Sequence, residues 1–361
     1  MDARLIAAPS RRLGRIAVAL ALVAFAAGCT SAPPATSTLA PVTPLPSTAA
    51  TTPPASTPPP ATPAPLFPAN LSDDEGTAVA LKAEPRKIIS LTPAATETLF
   101  ALGIGDRVIG KVEDFTPYPA DAAKVPDVAK FGSVDVEKIV SLGADLVIAG
   151  GNNFNPPESI TKLRSLGVPV LVIFAPDSKT ALADITLIGR ATGKVDEAAK
   201  VDAAITAAFS AVQAAVAGQA TPRVYYELDA TNGYFGPAPN YFGTEMIKLA
   251  GGVPLTSGTK DVYQIDPEKI IAFDPQVILL GDAAYGVTQD QVGKRPGWSV
   301  LAAVKSGDVR PINDTVVTRP GPRLAQGIVD LANAIHPSLG LPGGTPPEAS
   351  AAPSGSASTN P

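Results

Sequence analysis

The chain has one histidine and one cysteine among 361 residues. A lone imidazole, His336, followed by proline at a helix end, leaves no histidine-based catalytic triad and no histidine cluster for zinc. It reads as structural. A lone thiol, Cys29, excludes an intrachain disulfide. Positive charge is short as well. The 28 Lys and Arg stand against 33 Asp and Glu, a net charge of −5, where a nucleic-acid binder would carry a basic face. No GxxxxGK[ST] phosphate loop occurs, and neither Gly150-Gly151 nor Gly251-Gly252 makes one. Nothing here asks for a metal or a cofactor, and the expectation is a protein that is not an enzyme.

What is abundant is proline, 39 residues, and apolar side chains at 45%. The prolines lie largely outside the part that can fold. Arg4, Arg11, Arg12 and Arg15 precede an apolar run over residues 16–27, too short for a comfortable membrane span and typical of a secretory signal. Cys29 follows the small residues Ala26-Ala27-Gly28, which resembles the bacterial lipoprotein signal. The resemblance implies a signal peptide over 1–28 and a lipid on Cys29. Residues 30–70 are rich in Pro, Thr, Ser and Ala and cannot bury enough apolar surface to fold. They predict a semi-rigid tether, taken as residues 29–76, and residues 341–361 a second disordered tail.

The folded part carries a repeat. Residues 134–150 read VDVEKIVSLGADLVIAG, and residues 265–281 read IDPEKIIAFDPQVILLG. Asp135/Asp266, Glu137/Glu268, Lys138/Lys269, Ile139/Ile270 and Gly150/Gly281 coincide at a constant offset. Asp is a preferred helix N-cap, and Pro267 suits the first helical position because no N–H is needed there. Each copy ends in an apolar run of the kind that buried strands show. A helix feeding a buried strand, used twice, predicts two similar α/β lobes.

Strands are expected over residues 87–91, 107–110, 169–174, 223–228 and 308–312, alternating with helices. Such alternation means parallel sheets with ligands at the carboxyl ends of the strands. Residues 179–217 form one long helical region broken near Gly193. Its second part, 196–217, would span about 33 Å at 1.5 Å per residue, enough to bridge two lobes. The boundaries predicted are an N-terminal lobe over 77–178, a bridge over 179–218 and a C-terminal lobe over 219–340.

Several segments, in order, resemble the helical-backbone solute-binding proteins of bacterial ABC importers, which take cobalamin, ferric siderophores or haem. They are RKIISLTPAATETLFALGIGDRVIG, DFTPYP, VDVEKIVSLGADLVIAGG, RPGWSVLAAVKSGDVRPIND and TRPGPRLAQGIVDLANAIHP. The opening stretch and the DFTPYP loop look most like the cobalamin-binding branch. The resemblance implies two Rossmann-like lobes joined by a single long rigid helix, with little lobe movement on binding. It implies a monomer on the outer face of the cell membrane, held by its lipid, that delivers a corrinoid or ferric chelate to a permease dimer with its ATPase. A ligand-binding surface sensor without transport is the alternative of another class.

Under this resemblance, Glu137 and Glu268 are expected to dock into arginine pockets of the permease, since each stands at the second helical position of its repeat. Complementing the helix dipole would also account for them. Ligand contacts are expected from loops between the lobes: Phe115, Tyr118, Asn152 and Asn153 in the first half, and Tyr234, Phe235, Tyr241, Tyr285, Trp298 and Arg319 in the second. Flat rings suit a corrin or porphyrin face, and Arg319 suits a carboxylate, amide or phosphate. Trp298 is the foremost candidate because it follows Pro296-Gly297 outside any apolar periodic run.

Overall fold

A computed structural model describes residues 65–343. The signal peptide, Cys29, most of the tether and most of the C-terminal tail lie outside the described residues. The ordered chain begins earlier than expected. Strand β1 (Ala69–Ser72) pairs antiparallel with β2 (Ala78–Leu81), which places a strand inside the segment predicted to be tether. The cause is local. Leu71, Val79 and Leu81 alternate with polar or small residues and bury one face. Between the two strands, the Asp73 carboxylate accepts the N–H groups of Glu75 (3.1 Å) and Thr77 (2.7 Å), which closes the turn.

The first lobe is a six-stranded sheet of order β6-β5-β4-β3-β7-β8, built from β3 (Ile88–Ser90), β4 (Val108–Val112), β5 (Asp127–Lys130), β6 (Ser133–Val134), β7 (Leu146–Gly150) and β8 (Val170–Ile173). Every pairing is parallel except β5 with β6. Helices α1 (Pro93–Ala101), α2 (Val136–Leu142) and α3 (Pro157–Ser165) connect the strands. Thr92 caps α1 by accepting the Ala95 N–H at 3.1 Å. Strand β8 would be an open edge. The hairpin turn covers it: Asp74 N–H donates to Val172 O (3.1 Å), and Asp74 Oδ2 accepts the Phe174 N–H (2.6 Å).

Helices α4 (Ser178–Thr192) and α5 (Val195–Val216) carry the chain across to the second lobe. Gly193, left-handed at φ 73°, ends α4 at the expected break. The second lobe has an all-parallel sheet of order β11-β9-β13-β14, from β9 (Arg223–Glu227), β11 (Val253–Pro254), β13 (Val277–Leu280) and β14 (Val309–Pro311). The short pair β10 (Tyr234–Phe235) and β12 (Gln264–Ile265) lies beside it. Helices α6 (Phe242–Leu249), α7 (Pro267–Phe273), α8 (Gln289–Gly293), α9 (Ala302–Ser306), α10 (Asp314–Thr318) and α11 (Leu324–Ile335) complete the lobe. One apolar core runs continuously from α1 and β7 through α4 and α5 to α6 and α11, and includes Leu99, Ile148, Ile185, Phe209, Ile247 and Ile328. The bridge is therefore packed on both sides, which resists hinge bending more than an exposed linker would.

The two repeats fold alike with two differences. Asp135 caps α2, its carboxylate accepting the Lys138 N–H at 2.9 Å. Asp266 makes no such bond, and α7 begins instead with Pro267 at its first position. At the far end, Gly143 takes the left-handed turn in the first copy, and Asp274 takes it at φ 48° in the second. The second is held from outside: Arg223 binds the Asp274 carbonyl and carboxylate, and Asp274 Oδ1 accepts the Ala302 N–H at 2.8 Å.

Candidate functional site

The carboxyl ends of β3, β7 and β8 open onto a cleft of about 730 Å³ between the lobes. Its volume is that of a small-molecule site. The first lobe contributes Thr92–Ala94, the loop of residues 150–154 and the segment 173–176; the second contributes residues 240–242, Asp261, Tyr263 and residues 318–320. Gly150 is required where it stands, because a Cβ there would come within 2.7 Å of Thr92 Cγ2 and 2.9 Å of the Phe154 ring. Its N–H donates to Asn155 Oδ1 at 2.7 Å, and Asn155 Nδ2 donates to Leu91 O at 3.3 Å, which pins the loop to the end of β3. Asn152 and Asn153 then both adopt left-handed backbone, at φ 51° and 61°, a conformation that Asn tolerates better than most residues.

Of the expected ligand residues, Asn152, Asn153, Tyr241 and Arg319 line this cleft. Phe115, Tyr118 and Tyr285 do not; they are exposed elsewhere, Phe115 at 87% and Tyr285 at 84%. Trp298 is a correction. It is 0% exposed and sits in the core of the second lobe, 6.0 Å from the Tyr225 ring and 4.9 Å from the Tyr234 ring. The Arg295 guanidinium lies 4.6 Å from its ring and 5.2 Å from that of Tyr234. Arg295 in turn makes a two-pronged pair with buried Glu227, at 2.5 and 2.7 Å. Both Trp298 and Tyr234 therefore pack a buried ion pair. Burial, followed by the charge of Glu227, pushes neighbouring Asp282 up to about 7.

Residues that sequence reasoning missed supply most of the cleft's aromatic surface. Phe131, in the turn between β5 and β6, meets Phe154 edge-on at 5.5 Å. Tyr263 meets Tyr241 edge-on at 5.5 Å. Phe174 follows β8 directly and is exposed on the rim. An apolar side chain set against glycine in a turn, as in Phe131-Gly132, was the available signal. Asp184 had none: it lies on the buried face of α4 and looks like any polar interruption. Its carboxyl lines the cleft and faces Asp74; burial, then the Asp74 charge, raises it to about 9.

Arg319 is not free. Its Nη1 and Nη2 donate to both Asp114 oxygens (2.8 and 2.9 Å), to Glu97 Oε1 (3.1 Å) and to Thr116 Oγ1 (3.0 Å). Arg323 donates to the same Glu97 at 2.6 and 2.8 Å and lies over the Tyr118 ring at 4.4 Å. Burial pushes the Asp114 carboxyl up, but the Arg319 hydrogen bond, the Thr116 N–H and the Arg319 charge outweigh it and hold it below the usual carboxylate value. Among the described residues, no group of three or more His, Cys, Asp or Glu is placed to hold a metal.

Glu137 and Glu268 are both exposed at the second position of their helices and make no ion pair among the described residues. The lysines that follow them turn away: Lys138 Nζ donates to Asp127 O and Lys269 Nζ to Ser257 O.

Two sheets, a packed helical bridge and a cleft at the strand ends narrow the architecture to one, and the sequence comparison agrees over residues 88–315. The chain belongs to the periplasmic binding protein family. Members bind solutes and are not enzymes. This binding protein is 31% identical to the uncharacterized ABC transporter substrate-binding lipoprotein YvrC of Bacillus subtilis, over 74% of this chain and 85% of YvrC. It is 32% identical to a cobalamin-binding protein of Halobacterium salinarum, with 73% of each chain covered. The periplasmic heme-binding protein RhuT of Roseiflexus has a similar structure, with a TM-score of 0.63 and 27% identity, over 70% of this chain and 99% of RhuT.

Proposed function

We propose that this binding protein captures a corrinoid and delivers it to an ABC permease from the outer face of the membrane, to which Cys29 anchors it through lipid. The observation that carries this reading is the composition of the cleft. Phe131, Phe174, Tyr241 and Tyr263 offer flat apolar surface, while Asn152 and Asn153 offer neutral amides that both donate and accept. A corrin presents a ring face with amide side chains around it, and the wall complements both. The likeness to the Halobacterium protein, itself named for cobalamin, supports the same ligand. Haem is the second reading, favoured by the likeness to RhuT and by the same aromatic rim.

Glu137 and Glu268, one on each lobe, exposed and without an ion pair among the described residues, are the residues for docking on a permease through arginine. The test of the ligand is titration of the full-length protein in detergent with cyanocobalamin, cobinamide, haemin and a ferric siderophore, followed by visible absorption and calorimetry. Tight binding of the two corrinoids is expected. Binding of haemin or the siderophore alone would overturn the corrinoid reading. A sensor role would leave ligand binding intact with no uptake lost on deletion of the protein.

A further inference from the structure

Among the described residues, Arg319 is the only cation on the cleft wall, and its charge is already answered. Two guanidiniums, Arg319 and Arg323, meet two carboxylates, Glu97 and Asp114, so the group as a whole is neutral. Glu97 is 3% exposed and uses both oxygens on the arginines. The carboxylates come from the first lobe and the arginines from the second, so the group forms as the lobes meet. The carboxyl side chains on the wall, Asp184 and Asp261, are both acids, so neither supplies a cation. A ligand bearing carboxylates would lose their hydration with no free cation to replace it, a penalty of several kcal/mol for an unpaired charge. A ligand whose acids are amidated escapes that penalty and finds Asn152 and Asn153.

We infer that Asp114 and Glu97 are specificity-determining residues that occupy Arg319 and thereby tune the cleft to macrocycles with neutral, amidated rims rather than carboxylate ones. The inference rests on the reading of this cleft as a macrocycle site, but not on which ring enters it. A mere staple between lobes would affect charged and neutral ligands alike, so the decisive readout is a ratio of affinities. Two pairs of probes differ in rim charge on a constant ring: cobinamide against cobyrinic acid, and the bis-amide of haemin against haemin.

Calorimetry on the full-length protein in detergent is expected to favour the amidated member of whichever pair binds. Asp114→Asn leaves two guanidiniums sharing one carboxylate and should lower that ratio about tenfold or more. Adding Arg319→Met to Asp114→Asn should abolish the change. Circular dichroism of each variant checks the fold, and Thr116→Val, which loosens Arg319 without altering charge, should leave the ratio near that of wild type. A ratio unmoved by Asp114→Asn, or equal losses for both members of a pair, overturns the inference. Binding of the porphyrin pair alone, with the expected ratio change, would sustain it while rejecting the corrinoid reading. Binding of none of the four probes would reject both.

Discussion

Replacing Asp184 by Asn is expected to stabilise the fold at neutral pH, and the size of the gain follows from where the carboxyl sits. Asp184 is buried on α4, and its carboxyl faces that of Asp74. Asp74 is in turn fixed by the Phe174 N–H. A buried carboxyl beside a second acid is costly to ionise, so Asp184 holds its proton to higher pH. Burial first, and the Asp74 charge second, raise Asp184 from 3.8 to about 9. The unfolded chain ionises near the lower value, so between the two the folded state holds a proton that the unfolded state has released. The stability this group contributes is fully present below pH 3.8 and is lost as pH rises through about 9. At pH 7 the interval already crossed is a little over three pK units, which sets an upper bound of ~4 kcal/mol. Asn is neutral throughout and can still donate to Asp74. We expect Asp184→Asn to gain roughly 1–3 kcal/mol at pH 7, with the difference shrinking towards zero near pH 4. Urea unfolding of both proteins between pH 4 and pH 8 measures it. A difference that does not vary with pH, or a variant less stable than wild type at pH 7, would refute the retained proton.

Trp298→Ala should lose about 3–5 kcal/mol of stability, as expected for removing a fully buried Trp. The milder Trp298→Phe should keep cobinamide affinity within about threefold, under about 0.7 kcal/mol; a large affinity loss in a stable Phe variant would return this residue to the ligand site. Reversing both Glu137 and Glu268 to Lys should spare ligand affinity and weaken permease binding by about 2–5 kcal/mol per desolvated pair, measured by uptake. A role confined to the helix dipole would leave uptake normal and lower stability by under about 1 kcal/mol. Cys29→Ser should leave the precursor unprocessed or release the protein from the membrane on fractionation; wild-type processing and membrane retention would reject the lipid anchor.

Much of the architecture was legible because it rests on local rules. The two 17-residue repeats declare themselves by capping chemistry and apolar runs, and they recur as α2 with β7 and α7 with β13. Gly193 marks the break in the bridge because few residues other than glycine turn left-handed without strain. The early hairpin escaped notice because Leu71 and Val79 are too few to stand out within a Pro-rich stretch. They become a strand pair because Leu71, Val79 and Leu81 find the apolar core that runs along α4.

The site was legible only in part, and the division has a physical cause. Asn152, Asn153 and Tyr241 reach the cleft from loops at strand or helix ends, where topology alone predicts a ligand. Trp298 had the same appearance in one dimension, yet the buried Glu227–Arg295 pair needs flat apolar cover, and the tryptophan supplies it. Arg319 lines the cleft, but its pairing is invisible in the sequence because its partners lie more than 200 positions away. Composition and periodicity determined that this chain would make two α/β lobes around a bridge, since helices and strands follow from neighbours a few residues apart. Which rings line the cleft, which acid is buried and which cation is paired were decided only by the packing of one lobe on the other. Burial and charge pairing depend on distances in space that the order of residues does not contain.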